Sequence, residues 1–125
     1  MFILLLLLLL LTACGGSQND ALATLPPGDA SQGAMWFTQS VNGAPPCSSC
    51  HSLDGSALVW PSMKGYAARV ASHAQGKSPE EYTRTSIVSP AAYIVDGFSN
   101  VMYGQYAQKL SPQQISDLIA YLLTL

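Results

Sequence analysis

Residues 44–53 read APPCSSCHSL, and how this stretch is read decides the fold. Cys47 and Cys50 stand three positions apart, and His51 follows at once. Such a pair is open to a disulfide, to half of a metal site, or to attachment of a bound group. The choice depends on where the third cysteine, Cys14, belongs. It also depends on whether the rest of the chain can build a core unaided.

The chain has 125 residues, enough for one domain. Hydrophobic residues make up 49% and charged residues only 10%, well under the roughly 25% of an average soluble domain. Much of that skew comes from the leucine run near the start. The net charge of -2 argues against nucleic-acid binding, which relies on clustered Lys and Arg.

The apolar run from Phe2 to Leu11 is too short for a spanning helix, which needs ~20 residues. It suits an export-signal core of ~7–15 residues, although no Lys or Arg precedes it. Leu11-Thr12-Ala13-Cys14 then resembles the lipobox of bacterial lipoproteins. That resemblance implies removal of residues 1–13, a lipid on Cys14, and a chain held at the outer face of the cytoplasmic membrane. Two lipid-derived chains suffice for stable anchoring. Residues 14–28 carry Gly, Ser, Asn and Pro without apolar period and read as a flexible tether.

Residues 29–125 read as an all-α domain of three to four short helices. Asp29 stands as an N-cap before Ala30, Gly33, Ala34 and Phe37 at helical spacing. A short helix is expected in GYAARVASH, residues 65–73. Ser78-Pro79 with Glu81, and Ser111-Pro112 with Gln114, both mark helix starts. Pro90 stops the first of these helices. In the second, Ile115, Leu118, Ile119 and Leu122 form an apolar stripe that must be buried. Helices this short are marginal alone. A small domain with so much loop needs a staple, a metal or a cofactor.

A redox disulfide wants flanking strands, which the pattern lacks. Structural zinc needs four ligands, and His51 directly beside Cys50 is poor spacing for it. Covalent attachment of one haem c uses all three residues. Cys47 and Cys50 on one turn form thioethers, and His51 becomes the proximal iron ligand. Met35, Met63, Met102 and His73 are candidates for the sixth ligand. Met102 is preferred, because it lies in the loop before the last helix and that loop can fold over the other haem face. A His/Met pair raises the haem potential.

From Asp29 to Leu125 the chain resembles class I cytochromes c. GAMWF resembles the family's first-helix motif, and LIAY its last-helix partner. This implies that Leu118 and Tyr121 pack on Gly33 and Phe37. WPSMKGYAAR resembles the family's G-P-x-L-x-G-x-x-x-R, with Trp60 for the first glycine and Met63 for leucine. The match implies that the Pro61 carbonyl orients His51 and that Arg69 contacts a haem propionate, with Trp60 beside the cofactor. SPAAYIVDGFSNVM resembles the segment leading to the ligand methionine, which implies roles for Pro90, Tyr93 and Met102. The family's proline after that methionine is replaced by Tyr103. Residues 78–125 are similar to c-type domains of respiratory complexes. Examples are the domain fused to subunit II of some haem–copper oxidases and the small lipoprotein cytochrome of alternative complex III.

The expected function is one-electron transfer by a carrier rather than an enzyme, since a His/Met iron has no open site for substrate. A larger membrane-bound quinol-oxidising or oxygen-reducing complex is the expected redox partner. An independent lipid-tethered shuttle is the alternative, and a haem peroxidase or a thiol oxidoreductase a remoter one. Steering by a lysine ring is not expected from three lysines and two arginines. Trp36, Trp60, Tyr66, Tyr103 and Tyr106 could supply docking contacts, with core packing the preferred reading for each.

Overall fold

The computed structural model describes residues 24–56, 60–74 and 76–125. The expected export segment, Cys14 and most of the tether lie outside these. Five α-helices follow in order: α1 (Ala30–Thr38), α2 (Tyr66–His73), α3 (Pro79–Val88), α4 (Tyr106–Lys109) and α5 (Pro112–Leu122). Short 3₁₀ turns occupy Cys47–Ser49 and Pro90–Ala92. No strand is present among the described residues, and none of their helices is long and apolar enough to cross a membrane. The all-α class is as expected. The single turn of α4 adds to the helices foreseen, in a stretch the sequence reading left as loop.

The caps act locally, as their residue types dictate. Asp29 accepts from the Ser31 and Gln32 amides at the start of α1. The Ser31 hydroxyl, which donates at 2.6 Å, and then these amides hold its carboxyl below the usual carboxylate range. Ser111 and Gln114 close a full capping box on α5. At α3 only half the box forms. Ser78 accepts from the Glu81 amide, while the Glu81 carboxylate turns to Lys77 at 3.2 Å.

Helices α1 and α5 pack directly on each other. Gly33 lies against the Asp117 carbonyl, so close that a Cβ there would overlap it and stand 2.6 Å from the Tyr121 Cβ. Phe37 then meets Tyr121 edge-on, with ring centres 5.6 Å apart. Buried Asp117 joins the two helices. Its Oδ1 accepts from the Asp29 amide at 2.9 Å and from Gln113 Nε2 at 2.8 Å. Its Oδ2 accepts from Trp36 Nε1 at 3.2 Å. Packing begins ahead of Asp29, because Leu25 touches the main core and Gln113 Nε2 donates to the Pro27 carbonyl at 2.9 Å.

The main core gathers Phe37, Ala44, Ile87, Tyr106, Leu110, Ile115, Leu118, Ile119 and Leu122. Val70, Ala74 and Tyr82 make a smaller cluster between α2 and α3. Asn42-Gly43 is a two-residue turn with both φ positive, at 50° and 81°, closing Val41 onto Ala44. Asn42 Nδ2 donates to the Lys109 carbonyl at 2.8 Å, which fastens this turn to the end of α4.

Two stability measurements check this architecture. Gly33→Ala drives a methyl into backbone, so a loss near the upper end of ~1–3 kcal/mol is expected in denaturant unfolding. Asn42→Ala removes the Lys109 bond and places alanine at positive φ. It should cost about 1–2 kcal/mol, and a neutral result would mean the turn is not held as described.

Candidate haem-binding site

The two cysteines are placed by backbone geometry. Pro46 leads into the Cys47–Ser49 3₁₀ turn. The amides of Cys50 and His51 both donate to the Cys47 carbonyl, at 3.1 and 3.0 Å. One turn therefore carries all three chemically distinctive side chains. Cys47 and Cys50 are free thiols, both half-buried. Burial pushes the Cys47 thiol up to about 11. Such a thiol is a poor redox nucleophile, which weighs against a thiol oxidoreductase.

Behind His51 lies the Pro61 carbonyl, 2.8 Å from Nδ1. A carbonyl only accepts, so Nδ1 carries the proton and Nε2 keeps its lone pair for a metal. Burial also pulls the His51 pKa below its ordinary value, with the Pro61 bond acting against this. Burial is the larger of the two, so the net shift favours the neutral imidazole. The Pro61 segment is itself braced. The Met63 amide donates to the Ser52 carbonyl at 2.8 Å, and the Arg69 guanidinium donates to the carbonyls of Ser62 and Lys64. Trp60 stands next to His51, with ring centres 6.2 Å apart.

These residues open onto a cavity of about 360 Å³. Cys47, Cys50, His51, Trp60 and Pro61 line it, as do Arg69, Tyr93 and Met102. The structure thus brings to one cavity every site residue the sequence reading named among the described residues. Cys14 lies outside them. Met63 also lines the cavity, and His73 is at its edge on the exposed end of α2. Met35 is exposed on α1 and does not line it. Tyr93 packs edge-on against Tyr82, with centres 5.7 Å apart. Arg69 holds the Pro61 turn, a role the resemblance did not imply.

The cavity fits the group. Its walls include Phe37 and Leu118, both fully buried, so the hollow lies within the core itself. An empty apolar hollow of this size costs stability, and a flat apolar cofactor removes the cost. The donors match haem c, with two thiols for thioethers and a soft nitrogen–sulfur set for iron. No group of three or more His, Cys, Asp or Glu that would hold a metal alone occurs among the described residues.

Some residues frame the site through partners that the sequence did not indicate. The Tyr106 hydroxyl donates to the Pro45 carbonyl at 2.9 Å, two residues ahead of Cys47. Tyr106 is buried, so it belongs to the site's frame rather than to a docking surface. Burial carries its phenol well above the ordinary range. The Tyr66 hydroxyl pairs with Thr83 Oγ1 at 2.9 Å, and Thr83 donates to the Pro79 carbonyl at 2.7 Å. Burial pushes Tyr66 up to about 12. These partners are remote in sequence. The nearest local signal was Asn42-Gly43, a pairing that favours turns with positive φ.

Comparison with known proteins agrees with this geometry. The family model described as Cytochrome c matches residues 32–125. No curated protein and no solved structure matches the chain. The matched region spans α1 to α5 and contains the CxxCH turn, which in this family carries covalent haem c. The chain belongs to the cytochrome c family, whose members carry electrons on a haem bound through cysteines such as Cys47 and Cys50.

Proposed function

We propose that this protein is an exported, lipid-anchored single-haem cytochrome that passes one electron at a time to and from a membrane-bound respiratory complex. The observation that carries this reading is the shared cavity of Cys47, Cys50, His51 and Met102. The haem supplies a one-electron Fe(III)/Fe(II) couple. The chain's own residues do the rest. Cys47 and Cys50 fix the ring, and the Pro61 carbonyl aims His51 at the iron. Met102, which lines the same cavity, would be the second protein ligand of the iron and would leave no site for substrate. The low-charge, apolar enclosure limits the reorganisation that accompanies a change of charge. Arg69, at the cavity, offsets the negative charge of a propionate.

The cavity mouth bears on the partner. Ile94, Phe98 and Val101 line the cavity and are exposed, Val101 at 59%. No charged residue occurs from Gly97 to Gln108. This favours apolar docking within a complex over electrostatic steering of a free shuttle. Cys14 would hold the domain at the membrane.

Three measurements check these readings. Intact mass of the membrane-extracted protein should show loss of residues 1–13, lipid on Cys14 and one haem; a full-length, haem-free chain ends the proposal. Met102→Ala should lower the reduction potential and open the iron to carbon monoxide, whereas an unchanged potential means another sixth ligand. Electron transfer to the membrane partner should change less than about threefold between low and high salt. A steep fall would instead support a charge-steered shuttle.

A further inference from the structure

The segment carrying Met102 is weakly tied by its backbone. Among the described residues, each hydrogen bond made by residues 97–104 goes to a residue within 95–105. The Phe98 amide donates to the Val95 carbonyl at 3.1 Å, the Val101 amide to the Ser99 carbonyl at 3.0 Å, and Tyr103 Oη to Gln105 Oε1 at 3.2 Å. No backbone bond therefore joins this segment to the helices. Two glycines flank the exposed stretch, Gly97 at φ 86° and Gly104 with open space where a Cβ would stand. The proline that follows the methionine in the resembled pattern, and would stiffen the chain there, is absent.

Side chains hold the segment, since Met102 and Tyr103 both pack against the main core. Tyr103 is half-buried against the main core, and its ring meets the Tyr106 ring edge-on with centres 5.0 Å apart. Tyr106 is 6% exposed, and its hydroxyl donates to the Pro45 carbonyl at 2.9 Å. A continuous line thus runs from Met102 through the neighbouring Tyr103 to Tyr106, and on to the turn that carries Cys47. The two ends of that line are the methionine loop and the cysteine loop, which are far apart in sequence.

We infer that Tyr103 is the positioning residue for Met102. By packing on Tyr106 it takes the place of the missing proline and sets how firmly the methionine sulfur holds the iron. The inference rests on Met102 being the sixth ligand, as proposed above. Aromatic pairs of this kind contribute enough to change a local opening equilibrium by about threefold to tenfold.

The test uses the haem-loaded protein and exogenous imidazole, which displaces a methionine ligand at a rate limited by opening of its loop. The parent should show the spectroscopic signature of methionine-ligated ferric haem and take imidazole slowly. Tyr103→Ala should take it about tenfold faster and Tyr103→Phe at the parent rate, since the ring and not the hydroxyl makes the contact. Should Tyr103→Ala fail to hold haem, Tyr103→Leu keeps apolar volume without the aromatic edge and should still be faster than Tyr103→Phe. A parent without the methionine signature overturns the ligand reading and this inference with it. A parent that has the signature, with variants that take imidazole no faster, overturns the inference alone.

Discussion

The close approach of α1 to α5 at Gly33 is the constraint from which the remaining architecture follows. A helix can lie on a neighbour's carbonyl only where no side chain intervenes, and Gly33 meets that condition against Asp117. Once the helices touch there, Phe37 reaches Tyr121, and the Asp117 carboxylate collects donors from Asp29, Trp36 and Gln113. A buried carboxylate is costly without such partners, so the network and the contact depend on each other. The inner faces of both helices, through Phe37 and Leu118, then form one wall of the hollow that receives the haem.

That hollow explains an otherwise poor balance. Five short helices separated by long loops bury too little surface to stand easily alone. The chain leaves apolar side chains around a cavity of about 360 Å³, and a covalently attached ring completes the core. The cofactor is therefore part of the fold as well as the carrier of function. The same arrangement lets loops rather than helices supply both proposed axial ligands. His51 is aimed by the carbonyl of Pro61, and Met102 by its neighbour's packing.

Much of this was legible in the sequence where the cause was local. Ser111-Pro112 with Gln114 predicted a capped helix, and the box is complete. The same pattern at Ser78 predicted a second box, but Lys77 competes for the Glu81 carboxylate across one turn. Asn42-Gly43 was read only as loop, although both residues take the left-handed conformation of a tight turn. Residues 25–28 read as tether because they lack apolar period, yet Leu25 and Pro27 rest on the helical body. Tyr106 was read first as core packing, as its burial bears out, while its bond to Pro45 depends on a partner remote in sequence.

The sequence by itself determined the chemistry: Cys47, Cys50 and His51 in one turn, and the apolar stripe of α5. Each depends on neighbours a few residues apart, whose relative placement the backbone dictates. Only the tertiary structure decided what surrounds those groups. It set the carbonyl behind His51, the tyrosine pair beside Met102 and the hollow between α1, α2, α3 and α5. Those relations join residues distant along the chain, and they arise only when buried apolar faces and unsatisfied donors are matched in the folded core.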